Sequence, residues 1–431
     1  MSNEAAIANG EFFGRADLTE YRVPEGVSVI GDDAFGHCEN LKQIIIPDGV
    51  SRIGHRAFAH CSSLKQVRLP DSVTDIGVLA FAACHSLEDI SLPAMEFFHP
   101  NIVDGCNSIR HMTIGGRYAS DDEAVYTVDG QELCLVLPHH KEWVEIPDGV
   151  SRIGPSAFSL CDGLCSLSLP CSTDSVDEEA FDGCRWLEEI KMRPGGLFSS
   201  HNGILMSDSV VVRCPQAFKS GRVNIAQGII AIGARAFKEC RNVTEVRLPP
   251  TLERIEECAF ARSQSLEAVS DGDLTTIGRN AFLGCANLES LPDLDAADSI
   301  GAYAFGECKS LEKVRIPDQI HKIEDGLFVD CEKLANVDFH DDVAEIGAQA
   351  FLGCKELKSV DLPAGLQRIG YGAFAWSGLQ AIALPHQIED VAPMAFGLCK
   401  DLELASGPRH ISTSADSAFY GCDKLSTISF S

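Results

Sequence analysis

The chain has 431 residues and carries 35 Lys and Arg against 63 Asp and Glu, which gives a formal charge of −28. Hydrophobic residues make up 45% and charged residues 23%, a balance typical of folded chains. The acidic excess disfavours binding to nucleic-acid phosphates or to anionic membrane surfaces. No apolar run reaches the ~18 residues that a transmembrane helix needs, so no membrane insertion is predicted.

The first residues, Met1 to Gly10, lack the basic start and the apolar stretch of a secretory signal. If Met1 is the native start, we expect a cytoplasmic protein. If the chain was trimmed from a longer precursor, a cell-surface or secreted location is the alternative.

A repeat marked by phenylalanine begins near the N-terminus and continues through most of the chain. Phe12 is interpreted as a degenerate first member, and residues 1–17 as an N-terminal cap. Val103 takes the place of Phe after the third full copy. Neighbouring members are mostly 23 and sometimes 22 residues apart. The full copies are marked by Phe35, Phe58, Phe81, Phe158, Phe181, Phe237, Phe260, Phe282, Phe305, Phe328, Phe351, Phe374, Phe396 and Phe419.

Other residues recur in register with this Phe. A cysteine usually follows it by three residues, and Leu or a relative by six, as in Cys38 and Leu41. Two alternating apolar residues and often a proline come next, as in Ile44, Ile46 and Pro47. Ile, mostly followed by Gly, precedes the Phe by five residues.

These periods predict the conformation of one repeat unit. Leu-x-x-Ile-x-Ile ends in period-two alternation, which indicates a short strand with one buried face. Proline ends the strand, and Asp-Gly or a similar pair turns the chain. Val-x-x-Ile-Gly is a second extended piece, and Ala-Phe-x-x-Cys is expected to form a short helical or 3₁₀ turn. Because one unit cannot bury its own apolar face, stacked copies must share a core.

We therefore predict one β-rich repeat solenoid over residues 1–431, a horseshoe or curved rod of short parallel strands. Two inserts interrupt the period, at residues 115–145 and 195–222, and both are predicted to be β-hairpins. The first has Asp129-Gly130 between apolar runs, a strong hairpin signal. The inserts are interpreted as packing elements, with a projecting binding element as the alternative.

The combined pattern, Leu-x-x-Ile-x-Ile-Pro followed by Val-x-x-Ile-Gly-x-x-Ala-Phe-x-x-Cys, resembles the BspA-like class of leucine-rich repeats. The resemblance covers nearly the whole chain, from about Phe12 to Phe430. It implies a leucine-rich-repeat solenoid. Members of the class are mostly bacterial or protozoan, and many are surface or secreted proteins tied to adhesion and protein binding. This chain departs from them by showing no signal peptide and no recognisable anchor.

Cysteine and histidine are the residues here that most often carry chemistry. The cysteines fall one per turn in a line, whereas a zinc site needs four converging ligands, so we interpret them as core residues. His37 and His60, and the pair His139-His140, are interpreted as solvated surface. The segment from Asp293 to Asp298 lacks the full calcium-loop pattern. No catalytic motif is present, so we predict no enzyme activity, no cofactor and no metal.

The outward residues of the predicted strands are the candidates for binding a partner. Arg247, Lys313 and Arg315 are hypothesised to form a basic streak that docks an acidic partner segment. The full candidate set is Arg68, Arg110, His111, Glu189, Lys191, Glu245, Arg247, Lys313 and Arg315.

The function that the sequence favours is a non-catalytic scaffold that binds a protein partner of unknown identity. An adhesin for host or matrix ligands and a structural spacer are the alternatives. The array ends directly after a predicted strand, at Phe430-Ser431. Because repeat arrays need polar caps, we expect either an end-to-end homodimer or a C-terminal cap beyond this sequence.

Overall fold

The structure is a computed structural model that describes residues 5–138, 142–270, 272–409 and 415–430. The chain divides into two compact units, unit 1 (Met1–Ser199) and unit 2 (Ser200–Ser431). Each unit is a stack of turns made mainly of short parallel strands, so the predicted solenoid is confirmed. Among the described residues, no helix combines the length and the apolar character that crossing a membrane requires.

Unit 1 contains seventeen strands and one 3₁₀ turn, Pro100–Val103, among its described residues. The strands are β1 (Ala5–Ile7), β2 (Glu20–Arg22), β3 (Val27–Ile30), β4 (Gln43–Ile45), β5 (Arg52–Ile53), β6 (Gln66–Arg68), β7 (Asp75–Ile76), β8 (Asp89–Met95), β9 (His111–Gly116), β10 (Tyr118–Ser120), β11 (Ala124–Thr127), β12 (Glu132–Val136), β13 (Trp143–Glu145), β14 (Arg152–Ile153), β15 (Ser166–Leu169), β16 (Ser175–Val176) and β17 (Glu189–Met192).

The remaining strands belong to unit 2, apart from the first residue of β18, and one short helix, α1 (Ala415–Ala418), is described there. The strands are β18 (Ser199–His201), β19 (Ile204–Met206), β20 (Val210–Arg213), β21 (Arg222–Asn224), β22 (Ala231–Ile232), β23 (Glu245–Arg247), β24 (Arg254–Ile255), β25 (Ala268–Ser270), β26 (Thr276–Ile277), β27 (Ser299–Ile300), β28 (Lys313–Arg315), β29 (Lys322–Ile323), β30 (Asn336–Asp338), β31 (Glu345–Ile346), β32 (Arg368–Ile369), β33 (Ala381–Ala383), β34 (Asp390–Val391), β35 (Leu404–Gly407) and β36 (Thr427–Phe430).

The two extended pieces of each repeat build two kinds of sheet. The Leu-x-x-Ile-x-Ile pieces form the front sheets, which are β2-β4-β6-β8-β9 and β13-β15-β17 in unit 1, and β21-β23-β25, β28-β30 and β33-β35-β36 in unit 2. The Val-x-x-Ile-Gly pieces lie in the rear sheets, which are β1-β3-β5-β7 and β10-β11-β12-β14-β16, then β18-β19-β20-β22-β24-β26-β27 and β29-β31-β32-β34. Outside the hairpin inserts, pairing is parallel and mostly in register, so each repeat position stacks on its own equivalent.

The Ala-Phe-x-x-Cys segments form turns in which hydrogen bonds alternate between two directions. The Gly36 N–H donates within its own turn, to the Asp33 carbonyl three residues earlier at 2.9 Å. The neighbouring Phe35 N–H donates instead to Ala57 of the next turn, at 2.7 Å. A continuous helix would keep every N–H inside the turn, so the expected helical or 3₁₀ turns take the form of single i→i−3 turns joined sideways to the next repeat.

The Phe column forms the centre of the core. In unit 1 the rings of Phe35, Phe58 and Phe81 stack at centroid distances of 5.1 and 5.2 Å, with interplanar angles of 4° and 1°. Phe12 stacks on Phe35 at 5.0 Å, as expected of a first member of the series. Phe305 in unit 2 is 0% exposed and lies between two such neighbours. Each Phe ring is therefore buried by the Phe rings of the neighbouring turns, and the column as a whole fills the space inside the sheets.

The Cys column combines small volume with a hydrogen bond. The Cys61 thiol donates to the Phe35 carbonyl of the previous turn at 3.2 Å, and most other cysteines of the column make the same bond. Where serine stands in this column, the Ser263 hydroxyl donates to the Phe237 carbonyl at 2.5 Å. The position therefore selects a small side chain with one donor, which a free cysteine supplies as a small hydrophobe.

The Ile-Gly pair exists because neighbouring turns approach closely at the glycine. A Cβ added to Gly77 would lie 2.5 Å from the His55 nitrogen and 2.6 Å from the Gly54 carbonyl carbon. In unit 2 a Cβ on Gly301 would lie 2.5 Å from the Arg279 nitrogen. The obstructing atoms at these two glycines are backbone, so a larger residue at either position must push two turns apart.

Both inserts are hairpins that extend the rear sheets. In the first, β11 and β12 pair antiparallel, and β12 then pairs parallel with β14 of the regular array. In the second, β19 and β20 pair antiparallel, and β20 pairs parallel with β22. Buried residues such as Leu135 and Val211 line these strands. The arrangement supports the packing interpretation of the inserts.

We predict that Phe305→Ala lowers the free energy of unfolding by about 3–5 kcal/mol, because it leaves a cavity between two stacked rings. Chemical denaturation followed by circular dichroism measures the loss. The exposed Phe97, at 74% exposure, is the matched control, and Phe97→Ala should change stability little. A loss below about 1 kcal/mol for Phe305→Ala would show that the ring is not a core element.

Gly301→Ala should destabilise the protein by about 3 kcal/mol or more, since the added methyl meets rigid backbone. Ala392 occupies the same column in unit 2 as a side chain that the fold already accommodates. Ala392→Gly should therefore cost no more than about 1 kcal/mol, the usual entropy cost of glycine. Equal denaturation midpoints for the two variants would contradict the close approach.

The buried thiols should resist alkylation. Burial raises the pKa of Cys331 to about 12, so at pH 8 this thiol stays protonated and shielded, whereas Cys171 is exposed. With iodoacetamide at pH 8, peptide mass spectrometry should find Cys171 modified and Cys331 unmodified in the native protein. Both should react after unfolding in guanidinium. Comparable native rates at the two sites would refute the placement.

Candidate binding surfaces

On the front sheets, side chains at equivalent exposed strand positions of successive turns line up in rows that face outward. In β6, Gln66 and Arg68 are exposed on either side of the buried Val67, and Lys313 and Arg315 flank Val314 in β28 in the same way. This alternation follows from the period of two in a strand. The side chains are held on a hydrogen-bonded ladder, which fixes their spacing.

A groove of about 900 Å³ lies on the front sheet of unit 1. Arg68 lines it together with Lys42 and Lys65, and none of these three forms an ion pair with any carboxylate of the described residues. Gln43 and Gln66 are register partners within it. The remaining charged lining residues are Glu20, Asp48 and Asp71, so the groove has mixed polarity.

The other candidates of unit 1 lie at two places. His111 belongs to the same front sheet as Arg68, Arg110 directly precedes it, and the His111 Nδ1 lies 3.8 Å from the Asp122 carboxylate. Glu189 and Lys191 lie on β17 of the other front sheet and pair with each other at 2.6 Å. The structure thus brings together Arg68, Arg110 and His111 on one sheet, and separates them from the β17 pair.

The candidates of unit 2 are largely neutralised by carboxylates. Arg247 donates to Glu245 at 2.8 Å, and Arg315 pairs with Asp295 at 2.6 Å and with Asp318 at 2.8 Å. Glu245 also accepts from Arg222, at 3.0 Å. The hypothesised basic streak of Arg247, Lys313 and Arg315 therefore keeps only Lys313 without a carboxylate partner among the described residues.

A second groove, of about 650 Å³, lies on the front side of unit 2 around β28 and β30. Lys313 and Arg315 line it, but its carboxylates outnumber these cations. The sequence interpretation missed those carboxylates and the half-buried floor, which consists of Leu291, Val337 and Val360. Two irregular residues signal the groove in the sequence. Phe339 stands where most repeats have Leu or Ile, and Pro292 stands at the outward strand position that Arg315 holds one turn later. The acidic lining residues are Glu289, Asp293, Asp295, Asp338 and Asp361.

The cysteines and histidines show no convergence on a metal. Within the described part of the chain, no three or more His, Cys, Asp or Glu side chains are placed to hold a metal ion. His37 and His60 stack at 4.3 Å, and partial burial together with the neighbouring His37 lowers the pKa of His60. The Asp293 carboxylate accepts the Asp295 N–H, which makes that segment a turn. His139 and His140 lie outside the described residues.

Stacked parallel turns, an internal Phe and Cys spine, and an exposed strand face define the class of leucine-rich-repeat solenoids. The family model described as BspA type Leucine rich repeat region (6 copies) matches residues 5–125, 140–207, 216–335 and 321–431. The chain therefore belongs to this family, and the resemblance drawn from its repeat pattern is confirmed. Protein interaction is the general role of such repeat scaffolds.

Two solved structures illustrate the similarity. A leucine-rich repeat protein from Eubacterium ventriosum is 18% identical with a TM-score of 0.50, and the match covers 85% of this chain and 84% of that one. A leucine rich cell surface protein from Faecalibacterium prausnitzii is 24% identical with a TM-score of 0.49, covering 78% and 83%. No curated protein matches the chain. The structural likeness concerns the fold.

Proposed function

We propose that this chain is a non-catalytic scaffold that binds a partner protein through the exposed face of its front sheets. The observation that carries the proposal is that both open grooves described above lie on this side of their units. Rows of side chains on a rigid ladder form an extended surface, which is how repeat proteins usually bind. Burial raises the pKa of the Cys61 thiol and of other buried thiols in its column, which keeps them neutral.

The grooves also bear on the alternatives drawn from the sequence. A structural spacer needs no groove, so these two grooves favour binding over spacing. An adhesin would use the same face for a host or matrix ligand, so the compartment of the protein distinguishes it from an internal scaffold. The location of the protein and the end-to-end homodimer stay predictions from the sequence.

We expect cross-linking to be confined to the front sheets. A photoreactive benzoyl-phenylalanine would replace Gln66 on β6 or Asn336 on β30, both exposed front positions. Irradiation in lysate of the native cells should give protein adducts at these positions, because a docked partner lies within reach. Matched controls replace Arg52 on β5 and Arg368 on β32, exposed positions of the rear sheets. Front positions should give at least about tenfold more adduct than rear positions.

Two outcomes would count against the scaffold. Equal adduct yields at front and rear positions would indicate collision with abundant proteins and not docking. An absence of adducts at both front positions would remove the proposed face altogether.

A further inference from the structure

The front side of unit 2 is interrupted where the acidic groove lies. β28 pairs with β30, but the next front segment, Ser359–Asp361, belongs to no sheet, and β33 begins a separate one. The only ladder-type bond near it is from the Gln380 N–H to the Lys358 carbonyl, at 3.0 Å. All of residues 272–409 are described, so Ser359–Asp361 pairs with neither neighbouring turn.

The rear side of the same turns is continuous. β31, β32 and β34 pair in order through Ile346, Ile369 and Val391. The turns are thus joined at the rear, and at the front only Ser359–Asp361 lacks ladder bonds, because Glu356 and Gly365 on either side of it still donate to Glu332 and Asp341 of the previous turn. Phe339 directly follows β30 at the position that holds Ile46 or Leu69 in unit 1, and its ring packs edge-on against Phe351 at 5.9 Å. A larger side chain at this position accompanies the loss of pairing.

The floor of the groove is incompletely covered. The central front residue is buried in most turns of unit 2, as in Val246 at 0%, Val269 at 2% and Ile382 at 4% exposure. Leu291, Val337 and Val360 hold the same position in groove-lining turns and are only half-buried. Half-buried apolar residues on the floor of an open groove offer apolar surface to a ligand.

The walls of the groove give the charge of the ligand. Five carboxylates line it against two cations, and Arg315 is already engaged by Asp295 and Asp318. Glu289, Asp338 and Asp361 form no ion pair with any described residue. A basic segment would therefore find free carboxylates on the walls, whereas an acidic one would be repelled.

We propose that this groove binds an extended segment of a partner protein that alternates basic and apolar residues. Its apolar side chains cover Val337 and Val360, and its cations reach Asp338 and Asp361. Apolar contact with the floor provides affinity, and the carboxylates on the walls provide specificity for a basic segment. The proposal rests on the proposed function, because it names one partner element for one part of the front side.

The test uses the full chain and a fluorescein-labelled nonapeptide of alternating Lys and Val, which begins and ends with Lys. Fluorescence anisotropy should show saturable binding that weakens as salt rises. The double variant Asp338→Asn with Asp361→Asn should weaken binding at least about tenfold. The reason is that the loss of a charged contact near the centre of an interface often weakens affinity severalfold. The control, Glu389→Gln with Asp390→Asn, removes two exposed rear carboxylates and should leave affinity within about twofold.

Hydrogen–deuterium exchange locates the peptide independently of affinity. In the free chain, the amides of Ser359–Asp361 should exchange fast and those of β30 and β33 slowly, because only the latter strands lie in ladders. Saturating peptide should protect Ser359–Asp361. A peptide with Glu in place of Lys should give no protection, because the carboxylates on the walls repel it.

Three results would overturn the proposal: equal weakening by the groove and rear variants, which indicates general attraction to an acidic chain; unchanged exchange at Ser359–Asp361; or equal binding of the peptide with Glu in place of Lys. If these occur while front-side cross-linking persists, the scaffold function stands and only this ligand class fails. If cross-linking is also lost, the scaffold function fails with it.

Discussion

Parallel stacking in register, at the spacing of one strand, is the constraint on which this structure depends. Because every repeat position contacts its own equivalent in the next turn, each column must hold a residue that packs against itself. Phenylalanine rings satisfy this by stacking face to face, as Phe35 and Phe58 do at 5.1 Å. Cysteine satisfies it with small volume and a donor for the carbonyl of the previous turn. Glycine satisfies it at Gly77, where only hydrogen fits between two backbones.

The same constraint explains how much of the fold was readable from the sequence. Residues of one column contact their equivalents in the next turn, so the same residue type recurs at a fixed spacing in the sequence. The solenoid, the two strand pieces and the core could therefore be predicted from that spacing. The turn conformation could not, because an i→i−3 bond fits both a short helix and the sideways ladder. His37 has a positive φ of 59° in that ladder, and the identity of the residue does not predict this backbone conformation. The position of the hairpin strands in the rear sheets likewise depends on contacts distant in sequence.

Predicting the site was harder, because pairing between charges depends on which turns are neighbours. Arg315 reads as a free cation on an outward strand position, yet Asp295 lies one turn earlier and reaches it. Formal charge along one strand therefore misjudges the polarity of a groove that is assembled from several turns. Cations without a carboxylate partner among the described residues include Lys42, Lys65 and Arg68 in the groove of unit 1, and Lys313 in the groove of unit 2. Phe339 and Pro292 were the irregular residues that marked the unit 2 groove.

Turns that depart from the regular repeat provide binding surface that regular turns lack. A regular ladder satisfies its own backbone groups and buries its central apolar column, so only side-chain tips remain for recognition. Beside Ser359–Asp361 the apolar floor is only half-buried, and exposed apolar surface is a hazard because identical copies can associate through it. Asp361 ends this segment and Asp338 lies on the neighbouring strand, so like charges on two copies would repel each other there. The same carboxylates attract a segment of opposite charge, so protection against self-association and selection of a basic strand follow from one arrangement.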